Sequence, residues 1–176
     1  DLWLISDEAY AFFVYGSNEF VSPYVFPEIR SRLIVVRSFS KTFAMTGFRV
    51  GYVAAPEAVI TRLTTLQGHV TGNVCTFAQE GALQALELSD DFLERRRAAY
   101  QERRDLAVSL CGGLFDLVEP AGAFYLFPDT ARHRNRFEDD QALARHLLEA
   151  ANVAVVPGAF FGAPGHIRLS FAAGAE

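Results

Sequence analysis

The first third of the chain alternates short apolar runs with polar residues. Segments 2–6 and 33–36 are largely apolar and have the length of a strand, and segment 49–55 is a third candidate that ends before a proline. Segment 33–36 is continuously apolar and rich in β-branched residues, which is typical of a strand buried on both faces. Because polar side chains directly follow the first two runs, we expect an open α/β sheet that binds its ligand at the carboxyl ends of the strands.

The middle of the chain has the spacing of helices. Alanine, leucine, glutamine and glutamate recur at amphipathic intervals over residues 57–68 and about 76–88, which predicts two helices. Residues 89–105 carry five acidic and five basic side chains, and Ser89 can cap the helix that this run predicts. We expect this long charged helix to be solvated rather than to bind phosphate.

After residue 113 the pattern changes to that of a smaller α+β unit. The predicted elements are a strand-like segment 115–119, a strand 123–127, a helix from about 139 to 151 and a strand 166–171. We therefore predict two domains, residues 1–88 and residues 89–176, with the charged helix at their boundary. We expect the paired aromatic rings of Phe160 and Phe161 to belong to the core of the second domain.

Composition excludes several classes of protein. The 176 residues are 51% hydrophobic and 21% charged, which supports a buried core and argues against a disordered chain. The net charge of −5 gives no basic surface for nucleic acid or an anionic membrane, and no stretch reaches the roughly 18 uncharged apolar residues of a membrane span. The two cysteines, Cys75 and Cys111, specify no disulfide framework, which favours a reducing, cytoplasmic location. The histidines and cysteines lack metal-ligand spacing, so no metal is predicted.

Lysine occurs once, at Lys41, against fifteen arginines. A desolvated amine can lose its proton and become a nucleophile, whereas a guanidinium stays charged. The count alone leaves chance or a surface role as an equal possibility. Methionine also occurs once, at Met45, and the chain opens at Asp1. We interpret the sequence as an excerpt of a longer polypeptide.

Six polar side chains cluster around the ends of the first two predicted strands. They are Asp7 and Tyr10 after the first run, Ser38, Ser40 and Lys41 after the second, and Arg49 eight residues further on. A carboxylate, a phenol, two hydroxyls, an amine and a guanidinium in one site fit pyridoxal phosphate. The amine can bind the cofactor covalently, the carboxylate can keep the pyridine nitrogen protonated, and the hydroxyls and guanidinium can hold the phosphate.

These residues carry a resemblance to a known family. Residues 38–52, with the sequence SFSKTFAMTGFRVGY, resemble the lysine signature of class I/II aminotransferases, which are fold type I pyridoxal-phosphate enzymes. Similar segments are SDEAY at 6–10, AGAFYLFP at 121–128, PGAFFG at 157–162 and HIRLSFA at 166–172. The resemblance implies an α/β fold: part of the fold type I large domain, with a mostly parallel sheet and helices, followed by a small α+β C-terminal domain.

The resemblance also implies roles for individual residues. Lys41 would bind pyridoxal 5'-phosphate and move the proton between the substrate α-carbon and the cofactor. Asp7 would pair with the pyridinium nitrogen and Tyr10 with the ring oxygen. The implied phosphate ligands are Ser38, Ser40 and Arg49, and the implied ligand of the substrate α-carboxylate is Arg168. Tyr125 either lines the substrate pocket or is a core aromatic.

Two classes of function remain open. The first is an enzyme, an aminotransferase acting on an α-amino acid and a 2-oxo acid, as a homodimer. Decarboxylation, elimination or cyclisation on the same cofactor are variants of it. The second is the aminotransferase-like domain of a transcription regulator. The residues before Asp1 would discriminate the two, since a basic helix-turn-helix indicates the regulator and the earlier half of the family indicates the enzyme.

Overall fold

The computed structural model describes residues 2–174, and the chain divides into two compact units. The units are Asp1–Leu93 and Glu94–Glu176. The division falls inside the long charged helix, five residues after the boundary expected at residue 88. The assignment of residues 1–88 and 89–176 as functional domains stays a prediction.

The first unit contains a three-stranded sheet. Its strands are β1 (Leu4–Asp7), β2 (Leu33–Ser38) and β3 (Gly51–Ala54), in the order β1-β2-β3. β1 and β2 are parallel, as expected for a mostly parallel sheet. β2 and β3 are antiparallel. The twelve residues between β2 and β3 include the short helix Phe39–Thr42 and return the chain to the edge at which β2 ends, so β3 runs back along β2.

Burial in this sheet is one-sided. Leu33 and Val35 of β2 are buried, while Ile34 and Val36 on the opposite face are half-buried. The expectation of a strand buried on both faces is therefore wrong for the second face. β1 and β3 have no buried residue among the positions that the structure describes.

The described part of the first unit also contains three α-helices. They are α1 (Phe39–Thr42), α2 (Glu57–Val70) and α3 (Thr76–Leu86), and the last two confirm the predicted helices to within two residues at each end. The core of this unit joins the segment around α1 to the small-residue face of α3. Its buried members are Phe39, Met45, Val50, Ala82 and Ala85.

The second unit combines helices with a short antiparallel sheet. This unit begins within helix α4 (Asp90–Gly112). Its further elements are β4 (Tyr125–Leu126), α5 (Asp140–Ala151), β5 (Val156–Pro157) and β6 (Ile167–Ser170). The strand order is β4-β6-β5. Phe115, Leu143 and Ile167 form its core. Segment 115–119 does not form the expected strand and contributes only an isolated bridge at Asp116, whereas β5 lies where no strand was expected.

Helix α4 is not solvated along its whole charged run. Arg104 is 7% exposed, and its guanidinium lies 2.7 Å from Asp105 Oδ1 and 3.1 Å from Glu119 Oε1. Arg104 Nη1 also donates to the Pro120 carbonyl over 3.2 Å. The expectation of a fully solvated helix is therefore wrong at this position, because a buried guanidinium is tolerated when carboxylates and carbonyls satisfy it. Within residues 2–174, no helix is both long enough and apolar enough to cross a membrane.

Candidate active site

Asp7 and Ser38 end neighbouring parallel strands at the same edge of the first sheet. Asp7 is the last residue of β1, and its Cα pairs with that of Val36, two residues before the end of β2. The Asp7 side chain is exposed, and its Oδ1 accepts a hydrogen bond of 3.1 Å from the Ala9 N–H. The parallel register therefore brings the carboxylate to the strand end from which Lys41 follows.

Lys41 lies on the short helix that begins where β2 ends. Ser38 caps this helix, since its Oγ accepts from the Ser40 N–H over 3.1 Å. Phe39 is buried in the core of the unit, and its N–H donates to the Val50 carbonyl over 3.2 Å. These contacts fix the backbone directly before Lys41, whose side chain is half-buried.

Arg49 returns the chain to the same edge. Gly51 opens β3 opposite Ser38, and a Cβ at Gly51 would lie 2.6 Å from the Arg37 carbonyl oxygen, so only glycine fits this close approach. Arg49 precedes this strand in a left-handed conformation, with φ of 56°, rather than belonging to it as the sequence predicts. Its Nη1 donates to the Thr46 carbonyl over 2.7 Å. The guanidinium is thereby folded over the turn that follows Lys41.

Tyr10 lies in the turn directly after β1. The Ala11 N–H donates to the Glu8 carbonyl over 3.1 Å, and the Phe13 N–H donates to the Tyr10 carbonyl over 2.9 Å. Phe13 is fully buried and anchors this turn, while Tyr10 is half-buried. The turn therefore places Tyr10 three residues after Asp7, beyond the same end of β1.

Glu8 is a buried carboxylate for which the sequence predicts no role. Its side chain is fully buried, and Oε2 lies 2.7 Å from Arg37 Nη2 and 2.8 Å from Arg37 Nε. Oε1 accepts from the hydroxyls of Ser22 and Ser6. The hydrogen bond to Glu8 raises the pKa of Arg37 above its ordinary value. No local pattern identifies this pair, because Glu8 and Arg37 are brought together only by the β1–β2 register.

Arg168 occupies the middle strand of the second sheet. Its guanidinium carbon lies 4.6 Å from the centre of the Tyr125 ring and 4.5 Å from the centre of the Phe161 ring. Among residues 2–174, no carboxylate forms an ion pair with this half-buried arginine. Cation–π contacts stabilise the charge without neutralising it. The N–H edge of the guanidinium can therefore receive an anionic ligand.

Phe161 is a contact of this arginine rather than a core residue. It ends the 3₁₀ turn Gly158–Phe161 and is 48% exposed, and Phe160 is 70% exposed. The expectation that both rings belong to the core is therefore wrong. The Pro157-Gly158 pair is the signal that could have indicated a turn here, since such pairs favour turns over buried strands.

The predicted site residues thus form two groups. The group in the first unit contains Asp7, Tyr10, Ser38, Ser40, Lys41 and Arg49, and the group in the second unit contains Tyr125 and Arg168. Each group is assembled by strand register or by a turn within its own unit. The additional residues that the structure brings to these groups are Glu8, Arg37 and Phe161.

The known proteins to which this chain is similar in sequence and fold are aminotransferases. A family model described as aminotransferase class I and II matches residues 1–176. The chain is 46% identical to a probable aspartate/prephenate aminotransferase of Aquifex aeolicus, with 99% of this chain and 46% of that protein covered. The chain spans about half the length of the relatives it matches.

Solved structures agree with the family model. An aromatic aminotransferase of Pyrococcus horikoshii superposes with a TM-score of 0.91 at 36% identity, covering 98% of this chain and 47% of that one. The aspartate aminotransferase of Thermus thermophilus with maleate gives a TM-score of 0.89 at 39% identity, covering 99% and 45%. The fold is part of the fold type I architecture, and the chain belongs to the class I and II aminotransferase family.

Proposed function

We propose that the protein containing this chain is a pyridoxal-phosphate-dependent aminotransferase that moves an amino group between an α-amino acid and a 2-oxo acid. The observation that carries the proposal is the sheet edge at which Asp7 and the Ser38–Lys41 turn follow neighbouring parallel strands. The names of the relatives support amino-group transfer over decarboxylation, elimination or cyclisation.

Pyridoxal phosphate fits the groups at this edge. The Asp7 carboxylate would hold a proton at the pyridine nitrogen, and the Tyr10 hydroxyl would donate to the ring oxygen. A serine hydroxyl can accept one hydrogen bond and still donate another, so Ser38 Oγ can cap α1 and bind phosphate together. Ser40 and Arg49 would complete the phosphate ligands. When bound, the cofactor supplies an electron sink for the charge that develops at the substrate α-carbon.

Lys41 and Arg168 would act on the substrate. The Lys41 amine would hold the cofactor covalently until the substrate amine replaces it, and Nζ would then take the proton from the substrate α-carbon. The Arg168 guanidinium would bind the α-carboxylate through two parallel charge-assisted hydrogen bonds, with Tyr125 lining the same pocket.

We further propose aspartate as the first amino donor to test, because the Aquifex and Thermus relatives are named for it. The family resemblance supports a homodimer, and the two free cysteines, Cys75 and Cys111, support a reducing, cytoplasmic location.

Covalent labelling tests the cofactor assignment. The full-length protein with pyridoxal phosphate should be yellow, and borohydride should attach the cofactor irreversibly to Lys41. The Lys41→Arg variant is the matched control, since it keeps the positive charge but lacks a nucleophilic amine. Peptide mapping that finds the label on another lysine would refute the assignment.

Turnover separates the enzyme from the regulator. The full-length protein with pyridoxal phosphate, not treated with borohydride, should convert aspartate and a 2-oxo acid into a new amino acid over many cycles. A protein that takes the label at Lys41 but transfers no amino group from any donor in a screen would be a cofactor-binding sensor instead.

A further inference from the structure

Asp140 is a buried carboxylate that contacts the turn beside Arg168. It is the first residue of α5 and is 2% exposed. Its Oδ2 accepts a hydrogen bond of 2.7 Å from the Ala159 N–H, in the turn Gly158–Phe161. The capping of α5 is performed by the preceding residue, Asp139, whose Oδ1 accepts from the Ala142 N–H over 2.7 Å. The buried position of Asp140 is therefore not explained by helix capping.

The same turn is held on its other side by His166, the residue directly before β6. The Gly158 N–H donates to the His166 carbonyl over 2.7 Å, and the Ala163 N–H donates to the Gly158 carbonyl over 3.0 Å. A Cβ at Gly158 would lie 2.3 Å from the Ala163 carbonyl oxygen. The turn consequently has two attachments: a backbone hydrogen bond to His166, directly before the strand that carries Arg168, and the Asp140 carboxylate on the helix.

Phe161, at the end of this turn, covers one face of the Arg168 guanidinium at 4.5 Å. Tyr125 provides a second ring contact at 4.6 Å. Because a ring against its face restricts how the guanidinium plane can turn, the position of Phe161 helps to set the direction in which the Arg168 N–H groups point. A turn that loses one attachment would let this ring move.

We propose that Asp140 is a positioning residue for Arg168: its carboxylate, through the Ala159 N–H and the turn Gly158–Phe161, holds the Phe161 ring against the guanidinium that binds the substrate carboxylate. The proposal rests on the proposed function of Arg168. A carboxylate suits this role because a charge-assisted hydrogen bond is stronger than a neutral one, and the first turn of a helix favours negative charge.

Maleate binding to the full-length protein loaded with pyridoxal phosphate tests the proposal without turnover. Asp140→Ala should weaken maleate binding about 10-fold by calorimetry, the lower end of what removing a group that orients a ligand-binding side chain costs. Asp140→Asn, which keeps an acceptor oxygen, should fall between Asp140→Ala and the unchanged protein. Asp139→Ala is the matched control: it removes the neighbouring carboxylate and the helix cap, and it should leave maleate affinity unchanged.

Two further measurements separate positioning from folding. Hydrogen exchange at the Ala159 amide should accelerate in Asp140→Ala and not in Asp139→Ala. Phe161→Leu should reproduce the loss of maleate affinity with Asp140 intact, and it replaces Asp140→Ala if that variant does not fold. Equal maleate affinities for Asp140→Ala and Asp139→Ala, or an unchanged affinity in Phe161→Leu, would overturn the proposal.

Arg168→Lys distinguishes failure of this inference from failure of the proposed function. If Arg168→Lys weakens maleate binding and Asp140→Ala does not, the positioning role of Asp140 is wrong and the carboxylate site stands. If neither variant changes the affinity, Arg168 is not the carboxylate ligand and both assignments are wrong.

Discussion

Arg37 in the first unit and Arg168 in the second are strand arginines with opposite surroundings. Arg37 lies 2.7 Å from the buried carboxylate of Glu8, which raises its pKa. Arg168 lies between the rings of Tyr125 and Phe161, and no carboxylate among residues 2–174 pairs with it. The two guanidinium groups therefore differ in what they contact: Arg37 pairs with a buried acid, whereas Arg168 has ring contacts only, which is the arrangement that the proposed carboxylate ligand requires.

Burial alone does not make this distinction. Arg104 is more buried than either strand arginine, yet its guanidinium contacts Asp105, Glu119 and the Pro120 carbonyl. The charge of this guanidinium is already paired with two carboxylates, so it does not have the surroundings of a free carboxylate ligand. Aromatic rings, in contrast, stabilise a cation by about 0.5–2 kcal/mol while leaving its N–H edge open.

The largest effect that this comparison predicts is on stability in the first unit. Arg37→Met would leave the fully buried Glu8 carboxylate without its charged partner; because the Arg37 side chain is 42% exposed, we expect a cost of about 2–4 kcal/mol in the free energy of unfolding, somewhat below that of a fully buried pair. Urea unfolding of the full-length protein measures this loss. The control is Arg97→Met, which removes an ion pair with the exposed Glu94 and leaves no carboxylate buried, so its effect on the free energy of unfolding should be much smaller.

A double variant sharpens this prediction. Combining Glu8→Gln with Arg37→Met removes the buried charge together with its partner, so part of the lost stability should return. Equal losses for Arg37→Met and Arg97→Met would mean that the Glu8–Arg37 pair does not stabilise the sheet edge.

The next effect is on substrate binding in the second unit. Arg168→Lys keeps the charge but loses the planar fork, so carboxylate substrates should bind about 10- to 100-fold more weakly. Stability should change by about 1 kcal/mol or less, because lysine keeps a positive charge beside the Tyr125 and Phe161 rings and Arg168 has no ion pair within the described residues to lose. Steady-state kinetics with amino acids and with amines lacking a carboxylate measures the difference, and the amines should be nearly indifferent. Joint loss of cofactor and thermal stability, with one penalty for both substrate types, would make Arg168 structural.

The sequence predicts residues that are chemically distinctive and close together in the chain, and it misses those joined by distant contacts. Lys41 lies in a contiguous signature, and the helices around residues 57–86 follow from local spacing. The Glu8–Arg37 pair depends on strand register, and the contact of Phe161 with Arg168 depends on a turn packed against α5. The left-handed conformation of Arg49, two residues before the close approach at Gly51, likewise has no signal in the local sequence pattern.

Tyr125 illustrates the same limit. The sequence leaves a pocket role and a core role equally open, and the structure places the half-buried ring 4.6 Å from the Arg168 guanidinium. This contact comes from the pairing of β4 with β6, which the spacing of either strand does not specify. Its participation in substrate binding stays a prediction.

The smallest predicted effect is the loss of stability when one helix-capping hydrogen bond is removed from each unit. Ser38 caps α1 and Asp139 caps α5, so Ser38→Ala and Asp139→Ala should each lower the free energy of unfolding by about 1 kcal/mol. Only Ser38→Ala should also weaken pyridoxal phosphate binding, by about 10-fold, because its hydroxyl is a proposed phosphate ligand as well as a cap. Ser38→Thr keeps the hydroxyl and should retain both properties. Equal cofactor affinities for the Ser38→Ala and Asp139→Ala proteins, measured by absorbance titration, would reduce Ser38 to a helix cap and leave the phosphate to Ser40 and Arg49.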